Sequence, residues 1–190
     1  MSIVLASASP RRRELLEMLG VRDFEICPAK GEEKPEDGKS PDELVCLLSA
    51  AKAEEVKANC GEDDIIIAAD TIVWCGGRVF GKPKTEAEAK SMLRELSGKS
   101  HEVYTGVTLI KGEKIISEAE CTKVHFRQLA DEEIEAYVKS GEPMDKAGAY
   151  GIQGKASLFA EGIEGDFFNV MGMPLCKLGK MLKTIGVSLL

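Results

Sequence analysis

The sequence is poor in aromatic residues and has no long hydrophobic run. Only 5% of its 190 residues are Phe, Trp or Tyr. The longest apolar runs, such as residues 65–69, fall far short of the roughly 20 residues that a membrane helix needs. Few apolar residues precede the first arginines, which predicts that there is no signal peptide. We therefore expect a cytoplasmic protein without a membrane partner.

The sequence also lacks the spacing of a structural metal site. None of its six cysteines forms a C-x-x-C pair, and its two histidines, His101 and His125, have no close cysteine or histidine neighbour. Zinc sites are built from such clusters. We expect free thiols, two structural histidines and no zinc.

An excess of positive charge is absent as well. The chain carries 25 Lys and Arg against 32 Asp and Glu, a net charge of −7. Such a charge opposes binding along a nucleic-acid backbone, so no nucleic-acid partner is predicted. It leaves room for one concentrated basic pocket that binds a small anion.

What remains is the composition of an ordinary globular domain. Hydrophobic residues make up 44% and charged residues 30%, values typical of soluble folded chains. Short apolar runs alternate with helical repeats and with long hairpin patterns. We predict a single α/β domain over residues 1–190, with a mixed elongated sheet, flanking helices and two lobes around a cleft.

Local signals place the main elements. A capping box at Ser40 with Pro41 behind it opens a helix, and Thr85 opens another. Residues 65–69 are continuously apolar, which is typical of a buried strand, and they place Asp70 at its carboxyl end. The other expected elements are strands at 3–6, 24–27, 103–110, 114–126 and 158–160, a hairpin at Gly76-Gly77, and helices after Pro10 and over 131–140 and 174–185.

The first strand-to-helix turn reads Ser7-Ala8-Ser9-Pro10-Arg11-Arg12-Arg13. Ser9 as an N-cap and Pro10 as the first helical residue are explained by helix capping alone. The arginines are not, because cations in a first turn oppose the helix dipole by about 0.3–1 kcal/mol each. A bound phosphate would compensate them, so we predict phosphate binding by Ser7, Ser9, Arg11 and Arg12.

Residues 76–82 match the start of a P-loop, G-x-x-x-x-G-K. Pro83 stands where a Ser or Thr hydroxyl should hold magnesium, so we do not predict a P-loop enzyme. Lys82 can still reach a phosphate from this tight turn. Lys52, in an alanine-rich helical stretch, is either a second phosphate ligand or a surface lysine.

Two further positions carry candidate chemistry. Asp70 is the best candidate for a metal ligand or a base, although it could be a simple turn aspartate. The glycine-rich segment 145–154 contains Gln153, whose amide offers both a donor and an acceptor to the edge of a base. Gln153 could equally cap backbone groups.

Seven motifs together resemble the Maf family of nucleotide pyrophosphatases over nearly the whole chain. They are Ser7-Ala8-Ser9-Pro10-Arg11-Arg12, Lys52-Ala53, Ala69-Asp70-Thr71-Ile72-Val73, Gly81-Lys82-Pro83, Met92-Leu93-Arg94-Glu95-Leu96-Ser97-Gly98, Asp145-Lys146-Ala147-Gly148-Ala149-Tyr150-Gly151-Ile152-Gln153-Gly154 and Asn169-Val170-Met171-Gly172-Met173-Pro174. Three positions depart mildly from the family pattern. Ser49 stands where Ala is usual, Ala130 where a capping Thr or Ser is common, and Met173 where Leu is usual.

The resemblance implies a fold similar to the inosine-triphosphate pyrophosphatase group, often dimeric. It implies hydrolysis of a nucleoside triphosphate to the monophosphate and pyrophosphate with Mg²⁺ or Mn²⁺. In the family, the aspartate matching Asp70 is the proton acceptor, and the positions of Arg12, Thr71 and Gln153 bear on substrate choice. The Gly-Ile-Gln-Gly form is similar to the branch that acts on dTTP and UTP, with nucleotide-pool cleansing and division arrest as cellular expectations.

We therefore expect a divalent ion held by Asp70, with Glu33 as a second ligand, and phosphates bound by the basic residues named above. Three alternatives stay open at this point. The chain could belong to the branch that acts on 7-methyl-GTP, it could act on modified pyrimidine triphosphates, or it could be a nucleotide-binding regulator of septum formation that needs no turnover.

Overall fold

The computed structural model describes residues 2–31 and 38–190 of the chain. Its strands are β1 Ile3–Leu5, β2 Phe24–Ile26, β3 Ile65–Cys75, β4 Arg78–Phe80, β5 Ser100–Lys111, β6 Lys114–Phe126 and β7 Ala160–Glu164. Its α-helices are α1 Pro10–Met18, α2 Pro41–Lys57, α3 Glu86–Leu96, α4 Asp131–Lys139, α5 Phe167–Met171 and α6 Leu175–Thr184. Three short 3₁₀ segments, Glu142–Asp145, Ala147–Ala149 and Lys155–Leu158, lie between α4 and β7.

The seven strands of the described residues form one mixed sheet. Its order is β2-β1-β3-β5-β6-β7, with β4 paired to β3. Strand β1 runs parallel to both β2 and β3, whereas β4 and β7 are antiparallel to β3 and β6. The mixed α/β architecture predicted from the sequence is confirmed. None of the helices in the described part of the chain is long and apolar enough to cross a bilayer.

The chain divides into two compact units. Unit 1 comprises Met1–Asp70, Thr105–Glu120 and Gly172–Leu190, and unit 2 comprises Thr71–Tyr104 and Cys121–Met171. The divisions between the units fall inside β3, between Asp70 and Thr71, inside β5 and β6, and after Met171. The cleft expected between two lobes stays a prediction.

In unit 1, helix α2 packs directly on the sheet. The predicted capping box is present, because the Glu43 carboxylate accepts from the backbone N–H and the hydroxyl of Ser40 at 3.1 and 2.9 Å. A Cβ at Gly106 of β5 would lie 2.2 Å from the carbonyl oxygen of Val45, so only glycine allows this approach of helix and strand. The core beneath is apolar, formed by Val4, Ala6, Ala53, Val56, Ile66, Ala68 and Ile110.

In unit 2, an aromatic cluster surrounds His101, which is only 2% exposed. Its ring lies 4.9 Å from that of Phe126, edge to face, and its Nε2 lies 2.7 Å from the Tyr150 hydroxyl oxygen. Burial lowers the pKa of His101 to about 4. The ring is therefore neutral near pH 7 and packs as part of the core, in agreement with the structural role that the sequence predicts.

Helix α4 begins after Ala130, an N-cap residue that has no hydroxyl. The Glu133 carboxylate accepts from the Ala130 N–H at 3.0 Å and from the guanidinium of Arg127 at 2.6 and 2.9 Å. These bonds, above all the one from Arg127, lower the pKa of Glu133 to about 2. Glu133 thus supplies the carboxylate half of a capping box, and the hydroxyl half is missing at Ala130.

Two predicted strands differ from the structure. Strand β3 does not end at Ala69 but continues to Cys75, so Asp70 lies inside the strand and the prediction that it ends it is wrong. The reason is that Val73, Trp74 and Cys75 pair with β4 through the predicted hairpin, which extends the strand. Strand β7 begins only at Ala160, because a 3₁₀ segment occupies 155–158.

Candidate active site

A buried ion pair joins two of the predicted site residues. Asp70 is 4% exposed, and its Oδ1 accepts a hydrogen bond from the Lys52 ammonium. The side chains of Lys52 and Asp70 are 18% and 5% exposed. A buried charge needs a partner of opposite sign, and each residue supplies one for the other. Lys52 is therefore an inward-facing lysine and not a surface one, and its role as a phosphate ligand stays a prediction.

Helix α2 is fixed one turn before Lys52 by a chain of hydroxyls. The Ser49 hydroxyl lies 2.8 Å from that of Thr108 on β5, and Thr108 lies 2.8 Å from Ser117 on β6. Ser49 also donates to the carbonyl of Cys46 at 3.0 Å. The departure from the usual Ala at position 49 thus adds a buried hydrogen bond between α2 and β5. This bond helps to set the helix that carries Lys52.

The first turn is organised by Ser7 and Arg12. The Ser7 hydroxyl oxygen accepts from Arg12 Nη1 at 3.1 Å and from the Ser9 N–H at 3.2 Å, and Arg12 Nε donates to the Gly172 carbonyl at 2.9 Å. Ser9 occupies the N-cap position of α1, but its side chain makes no capping hydrogen bond. Capping therefore does not explain the Ser9 hydroxyl, which remains a candidate phosphate ligand.

The three arginines differ in their surroundings. Arg13 points to the exposed side of α1 and pairs with Glu17 one turn later, at 2.8 Å. Arg11 and Arg12 are half-buried. Arg13 thus has a structural role on the helix surface, whereas Arg12 is tied to the loop that carries Ser7.

In unit 1, strand register places the first turn and Asp70 beyond the same end of the β1–β3 pairing. Leu5 of β1 pairs with Ile67 of β3 in parallel, and the Ala6 N–H donates to the Ile67 carbonyl at 2.8 Å. Ser7 and Asp70 follow these paired residues in the same direction. The hydroxyl and guanidinium of the first turn therefore follow the carboxyl end of β1, and Asp70 lies on β3 just past its pairing with β1, so that cations and a carboxylate can serve one phosphate chain.

The other predicted residues, Thr71, Lys82 and Gln153, belong to unit 2. The Gly148 N–H donates to the Gly81 carbonyl at 3.0 Å, which joins the turn carrying Lys82 to the segment that leads to Gln153. A Cβ at Gly148 would lie 2.8 Å from Val73 Cγ2, and the residue has φ +68°, so this contact requires glycine. Gln153 is exposed at the tip of its own turn.

The metal site can be tested in part. Glu33, the expected second ligand, lies outside the described residues, and among those described no group of three His, Cys, Asp or Glu side chains forms a metal cluster. Mg²⁺ commonly binds through one or two carboxylates and otherwise through substrate phosphates and water. The single buried carboxylate of Asp70 fits that mode of binding.

The family follows from a comparison of the whole chain. A family model described as "Maf-like protein" matches residues 2–185. The chain belongs to the Maf family. The resemblance inferred from seven short motifs is thereby confirmed.

Curated relatives of this Maf-family chain share half of its residues. A protein of Bacillus cereus (strain AH820) named dTTP/UTP pyrophosphatase is 50% identical over 186 residues, which cover 98% of this chain and 96% of the relative. A protein of the same name from Bacillus thuringiensis subsp. konkukian (strain 97-27) matches with the same identity and coverage.

A solved structure shares the fold at low identity. A HAM1 protein from Coxiella burnetii superposes with a TM-score of 0.51 and 17% identity, over 97% of this chain and 99% of the other. At this identity the likeness bears on the fold alone. It agrees with the fold group expected from the sequence.

Proposed function

We propose that this chain hydrolyses dTTP and UTP to the nucleoside monophosphate and pyrophosphate. The relatives named dTTP/UTP pyrophosphatase, at 50% identity over almost the full length, support the substrates. The observation that carries the proposal is the buried Lys52–Asp70 pair, which lies beyond the same end of the β1–β3 pairing as the first turn. This arrangement combines a carboxylate with cations, as phosphoanhydride hydrolysis requires.

The basic residues bind the phosphate chain in this proposal. Arg12, already oriented by Ser7 and Gly172, offers its planar guanidinium to phosphate oxygens, and such charge-assisted bonds are among the strongest in proteins. Ser7, Ser9 and Arg11 complete the set from the same turn. Lys52 and Lys82 add positive charge that balances the leaving pyrophosphate.

Asp70 acts on water. A water molecule attacks the α-phosphorus, the new bond from its oxygen to phosphorus forms, and the bond from the α-phosphorus to the α–β bridging oxygen breaks. The Asp70 carboxylate accepts the proton of the attacking water, while Lys52 holds the carboxylate in place through the observed hydrogen bond. A divalent cation such as Mg²⁺ or Mn²⁺, held by Asp70 with Glu33, would supply positive charge at the phosphate oxygens.

Gln153 selects the base of the nucleotide in this proposal, together with Thr71 and Arg12. The exposed Gln153 amide can pair a donor and an acceptor with the edge of a uracil or thymine ring. Such readout favours one pattern of donors and acceptors over another, because a mismatched base leaves polar groups unpaired. The branch acting on 7-methyl-GTP is not favoured, since the relatives named above carry the pyrimidine name.

Several further properties belong to the same proposal. We expect residues 1–190 to act as one catalytic domain, in the cytoplasm, as a homodimer, with the nucleotide as its partner. A regulator that binds a triphosphate without turnover is the competing function. It predicts tight binding and no product.

The direct test is product analysis. Purified protein and its Asp70→Asn variant are incubated with dTTP, UTP and 7-methyl-GTP in Mg²⁺ or Mn²⁺, and the products are separated by anion exchange. We expect monophosphate and pyrophosphate from dTTP and UTP, lost in the variant. Diphosphate with phosphate would contradict the assignment of the cleaved bond, and binding without turnover would favour the regulator.

A further inference from the structure

The turn that presents Gln153 is held at both ends by one pair of side chains. The Gly151 N–H donates to the Tyr137 hydroxyl at 3.2 Å, and the Lys155 N–H donates to Glu142 Oε2 at 3.2 Å. The Tyr137 hydroxyl in turn donates to Glu142 Oε1 at 3.1 Å. The end of α4 and the segment after it therefore grip the turn two residues to each side of Gln153.

Glycines at two positions let neighbouring side chains come close to the turn. A Cβ at Gly154 would lie 2.0 Å from Glu142 Oε1, and one at Gly151 would lie 2.5 Å from Lys146 Cε. The turn also closes on itself, through a hydrogen bond from the Gly154 N–H to the Gly151 carbonyl at 3.1 Å. A side chain at position 154 would therefore displace the Glu142 carboxylate from its present place, and one at position 151 would displace the end of Lys146.

The protonation and hydrogen bonds of Tyr137 and Glu142 allow this pair to hold the Gln153 turn in one position. Tyr137 is buried, and burial raises the pKa of its hydroxyl, which therefore stays protonated and donates to Glu142. Its hydroxyl oxygen accepts the Gly151 N–H at the same time. The bonds from the turn to this pair come from backbone N–H groups, and the Gln153 side chain stays exposed.

The backbone just before the turn is strained. Ala149 has φ +60°, in the left-handed region that residues with a Cβ seldom adopt. Such a conformation costs roughly 1–3 kcal/mol and persists only where the surroundings impose it. The contacts at Gly151 and Lys155 hold the chain that follows Ala149, so we expect their loss to let this segment relax and move Gln153.

We propose that Tyr137 and Glu142 are positioning residues that set the choice among pyrimidine triphosphates by fixing the Gln153 turn. The inference rests on the proposed function, because it assigns base reading to Gln153. An amide reads a base edge only from a fixed position, since both of its hydrogen bonds must form together. The Tyr137–Glu142 pair supplies that position through its bonds to the backbone of the turn.

The test compares kcat and KM for dTTP, UTP and CTP in the wild type and in Tyr137→Phe, which keeps the ring and removes the hydroxyl. We expect KM for dTTP and UTP to rise about five- to tenfold, which corresponds to the loss of one hydrogen bond. CTP should change less and kcat should stay within about twofold, so the preference over CTP shrinks. Glu142→Gln keeps the size of the side chain and should give a smaller shift of the same kind.

Tyr104→Phe is the matched control. Tyr104 donates to Glu102 at 3.0 Å in the same unit, a second tyrosine–glutamate bond away from the turn. We expect this variant to keep the wild-type preference. An unchanged preference in both Tyr137→Phe and Glu142→Gln, or an equal loss for all three substrates, would overturn the inference. A wild type that turns over none of them would instead refute the proposed function.

Discussion

The candidate residues of unit 1 and those of unit 2 use different physical means. In unit 1 they are charged and partly buried, as in the Lys52–Asp70 pair and in Arg12 bound to Ser7. In unit 2 the Gln153 turn is backbone between glycines, held by Tyr137 and Glu142. A phosphate chain is common to every nucleoside triphosphate and is recognised by charge, whereas a base is recognised by the placement of donors and acceptors. For Asp70 and Gln153, the proposed roles predict that rate and selectivity can be changed separately, whereas Arg12 and Lys82 do not follow the division by unit.

The largest expected effect is on rate. Asp70→Asn removes the carboxylate that accepts the proton in the proposed mechanism, so kcat should fall about 10²- to 10⁴-fold while nucleotide affinity changes little. Steady-state kinetics with dTTP and UTP measure it. All substrates should lose the same factor, because the chemistry of the phosphate chain is shared.

Asp131→Asn is the control for that change, since Asp131 is an exposed carboxylate paired with Arg94 at 2.6 Å. Circular dichroism checks that Asp70→Asn still folds, because Lys52 loses its buried partner. Turnover close to that of the wild type would remove Asp70 from the mechanism.

The next prediction concerns the pH dependence of stability, which we expect to depend on the buried His101 of unit 2. His101 is neutral in the folded state down to a pKa of about 4, whereas an unfolded histidine binds a proton below about 6.5. The unfolded state thus binds more protons between these values, and stability is lost as the pH falls from about 6.5 to about 4. The loss from this group approaches about 3 kcal/mol.

Urea unfolding at pH 7 and pH 4.5 checks this expectation in the wild type, in His101→Phe and in His125→Gln. His101→Phe should flatten the dependence, whereas His125→Gln should keep it. The account of His101 fails if the wild type and His101→Phe show the same loss.

Arg12→Ala should weaken triphosphate binding about ten- to hundredfold, as expected for the loss of charge-assisted hydrogen bonds. Calorimetry with a non-hydrolysable dUTP analogue measures the Kd. Arg13→Ala is the matched control, because Arg13 pairs with Glu17 on the exposed side of the same helix. Equal Kd values for the two variants would contradict phosphate binding by Arg12 and indicate that both arginines have a structural role.

The smallest effect is expected at Gln153. Gln153→Ala should reduce the differences in kcat/KM among dTTP, UTP and CTP by about five- to tenfold, which corresponds to the loss of one hydrogen bond. We expect kcat to be largely retained. The ratios of kcat/KM measure the reduction. A uniform loss across the three substrates would contradict base readout by this residue.

Sequence patterns predicted what is local. The capping box at Ser40, the N-cap at Thr85 and the hairpin at Gly76-Gly77 depend on residues close in the chain, and each is present. Strand β3 was predicted too short because Asp70 and Thr71 interrupt its apolar run. The pairing with β4 extends the strand beyond that interruption.

The contacts that define the site are not local. Lys52 and Asp70 are 18 residues apart, and the sequence named both without pairing them. Tyr137 and Glu142 were missed, although the glycines at 151 and 154 signalled a close approach of some neighbour. Periodicity identifies the buried face of an element, but it does not say which side chain of another element lies against it.

The most direct test of the division between charge and base recognition uses inorganic tripolyphosphate, which has the phosphate chain and no base. Calorimetry measures its Kd for the wild type, Arg12→Ala and Gln153→Ala. We expect Arg12→Ala to raise the Kd of tripolyphosphate about tenfold or more, whereas Gln153→Ala should bind it like the wild type. Equal weakening in both variants would contradict this division.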